Sequence, residues 1–226
     1  MSYYFISNSS DEKIVGKKIP QCKGIPSSMG LNSKWFDKPN SMTKLTNEHF
    51  PDFEPELIFE LEEKSNLTDV ISPSNISAMG FLINQKTKDV FDKFNLMEHK
   101  YYTATLIVKG IPTIYYWLHF KENSDYFLSN IDYDKSTFHI CDLAYSKISD
   151  IEINSYSDYL DKKRNLQMRY ISCSKLFLKD EILKMEYDLF YIGHMFLHCF
   201  ASFKLVEAIT KYNISGLEIK EQQILL

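Results

Sequence analysis

Arginine is nearly absent from this chain of 226 residues: only Arg164 and Arg169 occur, and the other basic residues are lysines. Planar guanidinium forks are the favoured clamps for phosphate and carboxylate, so phosphate-rich ligands lose ground at once. Glycine and proline are also scarce, at seven each, which excludes collagen-like and linker-rich architectures. The four cysteines (Cys22, Cys141, Cys173, Cys199) are scattered, with no CxxC pair, so neither a zinc knuckle nor a thioredoxin-type site is expected. They read as reduced, buried thiols. The longest stretch free of Asp, Glu, Lys and Arg runs from Leu189 to Phe203, too short and too polar to span a membrane. The N-terminal MSYYFISNSSDEK has no basic segment leading into an apolar one, so no secretory signal is read and a cytoplasmic protein is expected. The net charge of −4 is the opposite of what a general nucleic-acid binder carries.

Hydrophobic residues make up 44% of the chain and charged residues 25%, a globular balance that excludes disorder throughout. Aromatics are abundant, with 15 Tyr and 16 Phe. Tyr3 to Ser7 reads as a strand. From Asn8 to about Pro55 the pattern is irregular and punctuated by Pro20, Pro26, Pro39, Pro51 and Pro55, which suggests an extended arm. Asp52, Glu54, Glu56, Glu60, Glu62 and Glu63 then follow within twelve residues with no intervening base. A run of charge is most often a solvated face. Its functional reading is a negative surface for a basic partner, steering association more than adding affinity.

Further along, Asn84 stands where a helix cap belongs, with Val90, Phe91 and Phe94 at helical spacing. Tyr101 to Val108 and Thr113 to Phe120 read as two aromatic strands joined by a turn at Lys109–Pro112. Thr137–Cys141, Ile151–Tyr156 and Tyr170–Leu178 are strand-like, and Asp158–Leu166 is weakly helical. Leu189–Ile192 and Met195–Cys199 read as strands broken at Gly193. Ser202 stands before a helix running to Tyr212, closed by Asn213–Gly216 and followed by a strand at Leu217–Ile219. Placing Asn84 over Ser202 brings Phe91, Phe94 and Asn95 onto Ile209, Tyr212 and Asn213. The echo fits a duplication or two copies of a common supersecondary form. The expected fold is α+β, mainly antiparallel sheet with two or three short helices, including strand–helix–strand units near 81–108 and 195–219.

Catalytic signals are weak. His194 and His198 have i, i+4 spacing but no accompanying glutamate, and their segment reads as strand and turn. Asp132-Tyr-Asp134 resembles a metal–nucleotide pair, yet no glycine-rich phosphate loop accompanies it, and a polar turn explains it as well. His139 and Cys141, or His198 and Cys199, would need tertiary structure to become a nucleophile pair. The strand Tyr115-Tyr-Trp117 has aromatics that stack bases in some proteins, but core packing is the commoner use. No catalytic, cofactor-binding or metal-binding residues are assigned, and no cofactor is expected.

From about Val70 onward, the order of features resembles the immunity proteins of bacterial polymorphic toxin systems, of the myxobacterial type once classed as a domain of unknown function. The resembling pieces are Phe81-Leu-Ile-Asn, Val90-Phe-Asp-Lys-Phe-Asn, Tyr115-Tyr-Trp-Leu-His-Phe, Ile131-Asp-Tyr-Asp134 with Ser136, Asp188-Leu-Phe-Tyr-Ile-Gly, and Ile209 to Ile219. They cover roughly two-thirds of the chain, and their order and spacing carry the likeness. The resemblance implies a compact domain over 70–226; residues 1–69, outside the match, are expected to add the N-terminal strand and the extended, Pro-punctuated and acidic arm, with one compact globule overall. It implies a non-enzymatic protein that binds a cognate toxin encoded nearby, with neither nucleic acid nor membrane as partner; a homo-oligomer stays open. The acidic residues Asp52 to Glu63 are then the expected contact surface. Two other readings stand beside it: a small-molecule enzyme with His119, His139 and Asp132 in one pocket, and an adaptor docked through the arm.

Overall fold

The computed structural model describes residues 2–24, 37–144, 146–166, 168–193, 195–196 and 198–225, with Ser2 and 222–225 by backbone only. The chain forms β1 (Ser2–Asn8), α1 (Glu12–Val15), β2 (Cys22–Lys23), β3 (Ile58–Leu61), β4 (Val70–Ile71) and β5 (Gly80–Ile83). It continues through α2 (Gln85–Phe91), β6 (His99–Val108), β7 (Ile111–Phe120), α3 (Ser124–Ser129), β8 (Thr137–Cys141) and β9 (Lys147–Ile151). It ends with α4 (Tyr156–Asn165), β10 (Tyr170–Lys175), α5 (Asp180–Leu183), β11 (Leu189–Tyr191), β12 (Cys199–Ser202), α6 (Phe203–Lys211) and β13 (Leu217–Leu225). Strand outweighs helix, 37% against 21%, so the fold is α+β and mainly sheet, as expected.

Two compact units share the chain. One holds Met1–Ile6, Glu122–Val206 and Ile219–Leu226; the other holds Ser7–Lys121 and Glu207–Glu218. Residues 1–69 contribute the expected N-terminal strand and two further strands where they are described. β1 pairs with β12, while β2 and β3 belong to a six-stranded sheet. Residues 25–36, part of the expected arm, lie outside the described residues.

The six-stranded sheet has the order β2-β3-β6-β7-β5-β4. Its centre is the expected hairpin, in register from His99 opposite Phe120 to Val108 opposite Ile111. The turn is shorter than expected: Lys109 and Gly110, at φ 50° and 81°, form a two-residue turn whose twist matches the strands. Pro112 therefore lies in β7, opposite Ile107. Period-two alternation puts Tyr102, Ala104, Leu106, Tyr115 and Trp117 on one face, where they pack with Phe59, Leu82, Met42 and Leu57. Asn84 caps α2 as expected, its side-chain oxygen accepting from Thr87 N–H at 3.0 Å. This cap buries Val90 and Phe91.

In the other unit the described part of the sequence is harder to anticipate. The expected strand at 151–156 is shifted: β9 ends at Ile151, and Ser155 caps α4 by accepting from Asp158 N–H. Met195, Phe196 and His198 are not in a strand, which starts at Cys199; His194 and Leu197 lie outside the described residues. Neither α3 nor α5, each shorter than two turns, leaves a periodic trace.

The echo seen in the sequence extends to hydrogen bonds. The four-stranded sheet β11-β12-β1-β13 has the same order as β4-β5-β7-β6. Leu82 lies between Ile71 and Trp117, and Phe200 lies between Phe190 and Phe5. Tyr3-Tyr4-Phe5-Ile6 thus occupies the place of Tyr115-Tyr116-Trp117-Leu118. Asp69 accepts from the Asn84 side-chain amide at 2.8 Å, and its carbonyl accepts from Asn84 N–H at 2.9 Å. Asp188 accepts from the Ser202 hydroxyl at 2.5 Å, and its carbonyl accepts from Ser202 N–H at 2.8 Å. The Tyr115 hydroxyl donates to Thr68 O and the Tyr3 hydroxyl to Tyr187 O. The two strand–helix units thus share strand order and capping bonds, as a duplication or two copies of one supersecondary form would, with the β6–β7 hairpin of one matched by the N- and C-terminal strands in the other.

Candidate functional site

The acidic segment is partly built into the sheet. β3 runs parallel to β6 and antiparallel to β2, with Phe59 fully buried opposite Leu106. Glu56 pairs with Lys38 at 2.8 Å and Glu60 with Lys23 at 3.5 Å. Such half-exposed pairs contribute about 0.2–1 kcal/mol each. Asp52, Glu54 and Glu63 are exposed and Glu62 is half-buried; these four enter no ion pair among the described residues. The six acids therefore divide between two that are ion-paired with lysines and four that enter no ion pair among the described residues.

A second surface was not anticipated. The three-stranded sheet β10-β8-β9 places Tyr170 opposite Cys141, and Cys141 opposite Lys147. Around that row stand Leu143, Ile148, Met168 and Tyr170, all exposed, with Met168 at 76%. Four exposed apolar side chains thus fall within two residues of one cross-strand row, and we treat them as a candidate docking patch. Leu143 and Met168 sit in polar turns, so no periodic pattern singles them out; large apolar residues in turns were the available signal.

At the other end of the same ladder, beyond Phe138 opposite Ile151, a groove of about 580 Å³ opens. Asp134, Asp150 and Glu152 line it, and no basic residue does. The stacked rings of Tyr133 and Phe138, with centroids 5.5 Å apart, are part of its wall. An adjoining space of about 370 Å³ adds Asp132 and Lys179. Asp150 is held by Lys147 at 2.6 Å and Asp132 by Lys135 at 2.7 Å. The bond from Lys135 keeps the Asp132 carboxyl below its ordinary value.

Asp132-Tyr-Asp134 forms a turn, closed by Ser136 N–H donating to Asp132 O. No group of three His, Cys, Asp or Glu suited to a metal occurs among the described residues. His119 belongs to one unit, His139 and Asp132 to the other. His139 bonds to Ser174 at 3.0 Å; burial and Lys147 lower its pKa, against Asp150. All four cysteines are free and buried, and burial pushes each thiol upward, away from the thiolate a nucleophile needs. The aromatic strand is core, as the commoner reading had it: Tyr115 and Trp117 are buried. No described helix is long and apolar enough to cross a membrane.

No family model matches the chain, and no curated protein matches it.

Proposed function

We propose that this chain is an immunity protein that binds and neutralises a cognate toxin in the cytoplasm of the cell producing both, without enzymatic activity or cofactor. The observation that carries the reading is the pairing, on one three-stranded sheet, of an exposed apolar patch with an acidic groove. Apolar and aromatic anchors supply affinity at a protein interface, and charge supplies orientation and selectivity. The acids of the 52–63 segment that enter no ion pair among the described residues support the same reading by adding negative surface for a basic partner. The order of motifs from Val70 onward resembles the immunity family and names the kind of partner.

The patch gives a direct test. In a titration against the product of the neighbouring gene, Leu143→Glu combined with Met168→Glu is expected to weaken binding about 30-fold or more, the scale of one hot spot. Both side chains are exposed, so the variant should keep its thermal unfolding midpoint. Unchanged affinity would remove the patch from the interface.

A further inference from the structure

β9 is an edge strand: it pairs with β8 alone, and its outer backbone edge has no strand partner among the described residues. Lys147, Ile148, Ser149 and Asp150 are all exposed and Ile151 half-buried, so the strand is accessible from both faces. Edges left open in this way pair with other chains unless something deters them. Here the deterrents gather at one end. Lys147 and the break in register between Ile140 and Cys141 sit at the start of β9. From Ser149 to Ile151 the register with β8 is regular and the outer edge has no strand partner among the described residues, while just beyond the strand the Glu152 carbonyl accepts from Lys162.

That open end runs into the acidic groove. Asp150 and Glu152, two residues apart and therefore on the same side of an extended chain, both line it, with Asp134 as the third acid. Asp150 has Lys147 as its ion-pair partner, while Asp134 and Glu152 enter no ion pair among the described residues. Three bases stand around the groove and each has a partner: Lys135, beside Asp134, pairs with Asp132; the Lys162 ammonium is bound to Asp158 and to the Glu152 carbonyl; and Lys179, in the adjoining space, donates to Ser129 O.

We propose that β9 accepts an added strand from the toxin, an extended segment carrying two basic side chains two residues apart that reach Asp150 and Glu152. The inference rests on the immunity reading and specifies its mode of contact. Main-chain hydrogen bonds along β9 would supply affinity, and the alternate side chains entering the groove would supply selectivity. A second copy of this chain fits poorly as the occupant, because Lys147–Ile151 carries a single base for three acids.

Hydrogen exchange, measured on the chain alone and mixed with the purified product of the neighbouring gene, reads this directly. Alternate amides in Ser149–Glu152 should slow by about tenfold or more in the complex. Asp150→Lys combined with Glu152→Lys should raise the Kd by about tenfold or more, with an unchanged unfolding midpoint. A complex that leaves those amides exchanging as before would overturn strand addition while the immunity reading stands. Protection of β9 by self-association without the second protein would also overturn it. Absence of any complex would overturn the immunity reading and strand addition with it.

Discussion

Gly80→Ala is expected to lower the unfolding free energy by about 3 kcal/mol, a large fraction of the stability of a domain this size. Gly80 lies in β5 opposite His119 of β7. A Cβ at that position would come within 2.1 Å of the Leu118 carbonyl oxygen and 2.7 Å of the Trp117 ring. The carbonyl belongs to a central strand and the indole is buried, so neither can move aside cheaply. The control is Gly110→Ala at the hairpin tip. That Cβ meets nothing within 4 Å, and only the positive φ of 81° opposes it. It should cost about 1 kcal/mol. Urea unfolding of the two variants separates a steric from a conformational penalty; a larger loss for Gly110→Ala than for Gly80→Ala would contradict the packing described here.

The second large effect is expected at Asp69. Its carboxylate accepts from Ser215 N–H and hydroxyl, both at 2.8 Å, from the Asn84 amide at 2.8 Å, and from Lys86 at 3.1 Å. These bonds tie the cap of α2 to the turn that follows α6. Burial by itself would raise the carboxyl pKa; the bonds from Ser215, Asn84 and Lys86 outweigh it and hold the value below the ordinary one. Asp69→Ala removes the acceptor from partly buried donors and should cost about 3 kcal/mol. A depressed folded pKa means the contribution is fully present above the unfolded value of about 3.9 and is lost as pH falls through the folded value. The wild-type chain should therefore lose stability on acidification from about pH 5 downward more steeply than Asp69→Ala. Parallel acid-unfolding curves for the two proteins would contradict this assignment.

What the sequence shows of the fold depends on period and cap chemistry. The β6–β7 hairpin was legible because two ten-residue aromatic strands flank a Gly-containing turn. The two capped helices were legible from Asn84 and Ser202. β2 and β4 were harder because two residues carry no period, and their place is fixed by partners far along the chain. β3 was read as acidic surface because Glu56, Glu60 and Glu62 hide the alternate burial of Leu57 and Phe59. The apolar patch was not legible, since Leu143 and Met168 flank one cross-strand row only when β8 and β10 pair. The groove likewise forms only where β8 and β9 separate, joining Asp134 to Asp150 and Glu152 across sixteen or more residues.

Neutralisation is the central claim, and co-expression tests it most directly. The chain would be produced together with the product of the adjacent gene, with a tag on this chain alone, and cell growth and co-elution would be followed together. The account predicts that the neighbour by itself arrests growth, that this chain restores it, and that the two elute in fixed stoichiometry. A neighbour that arrests growth equally with and without this chain, and fails to co-elute, would contradict the account.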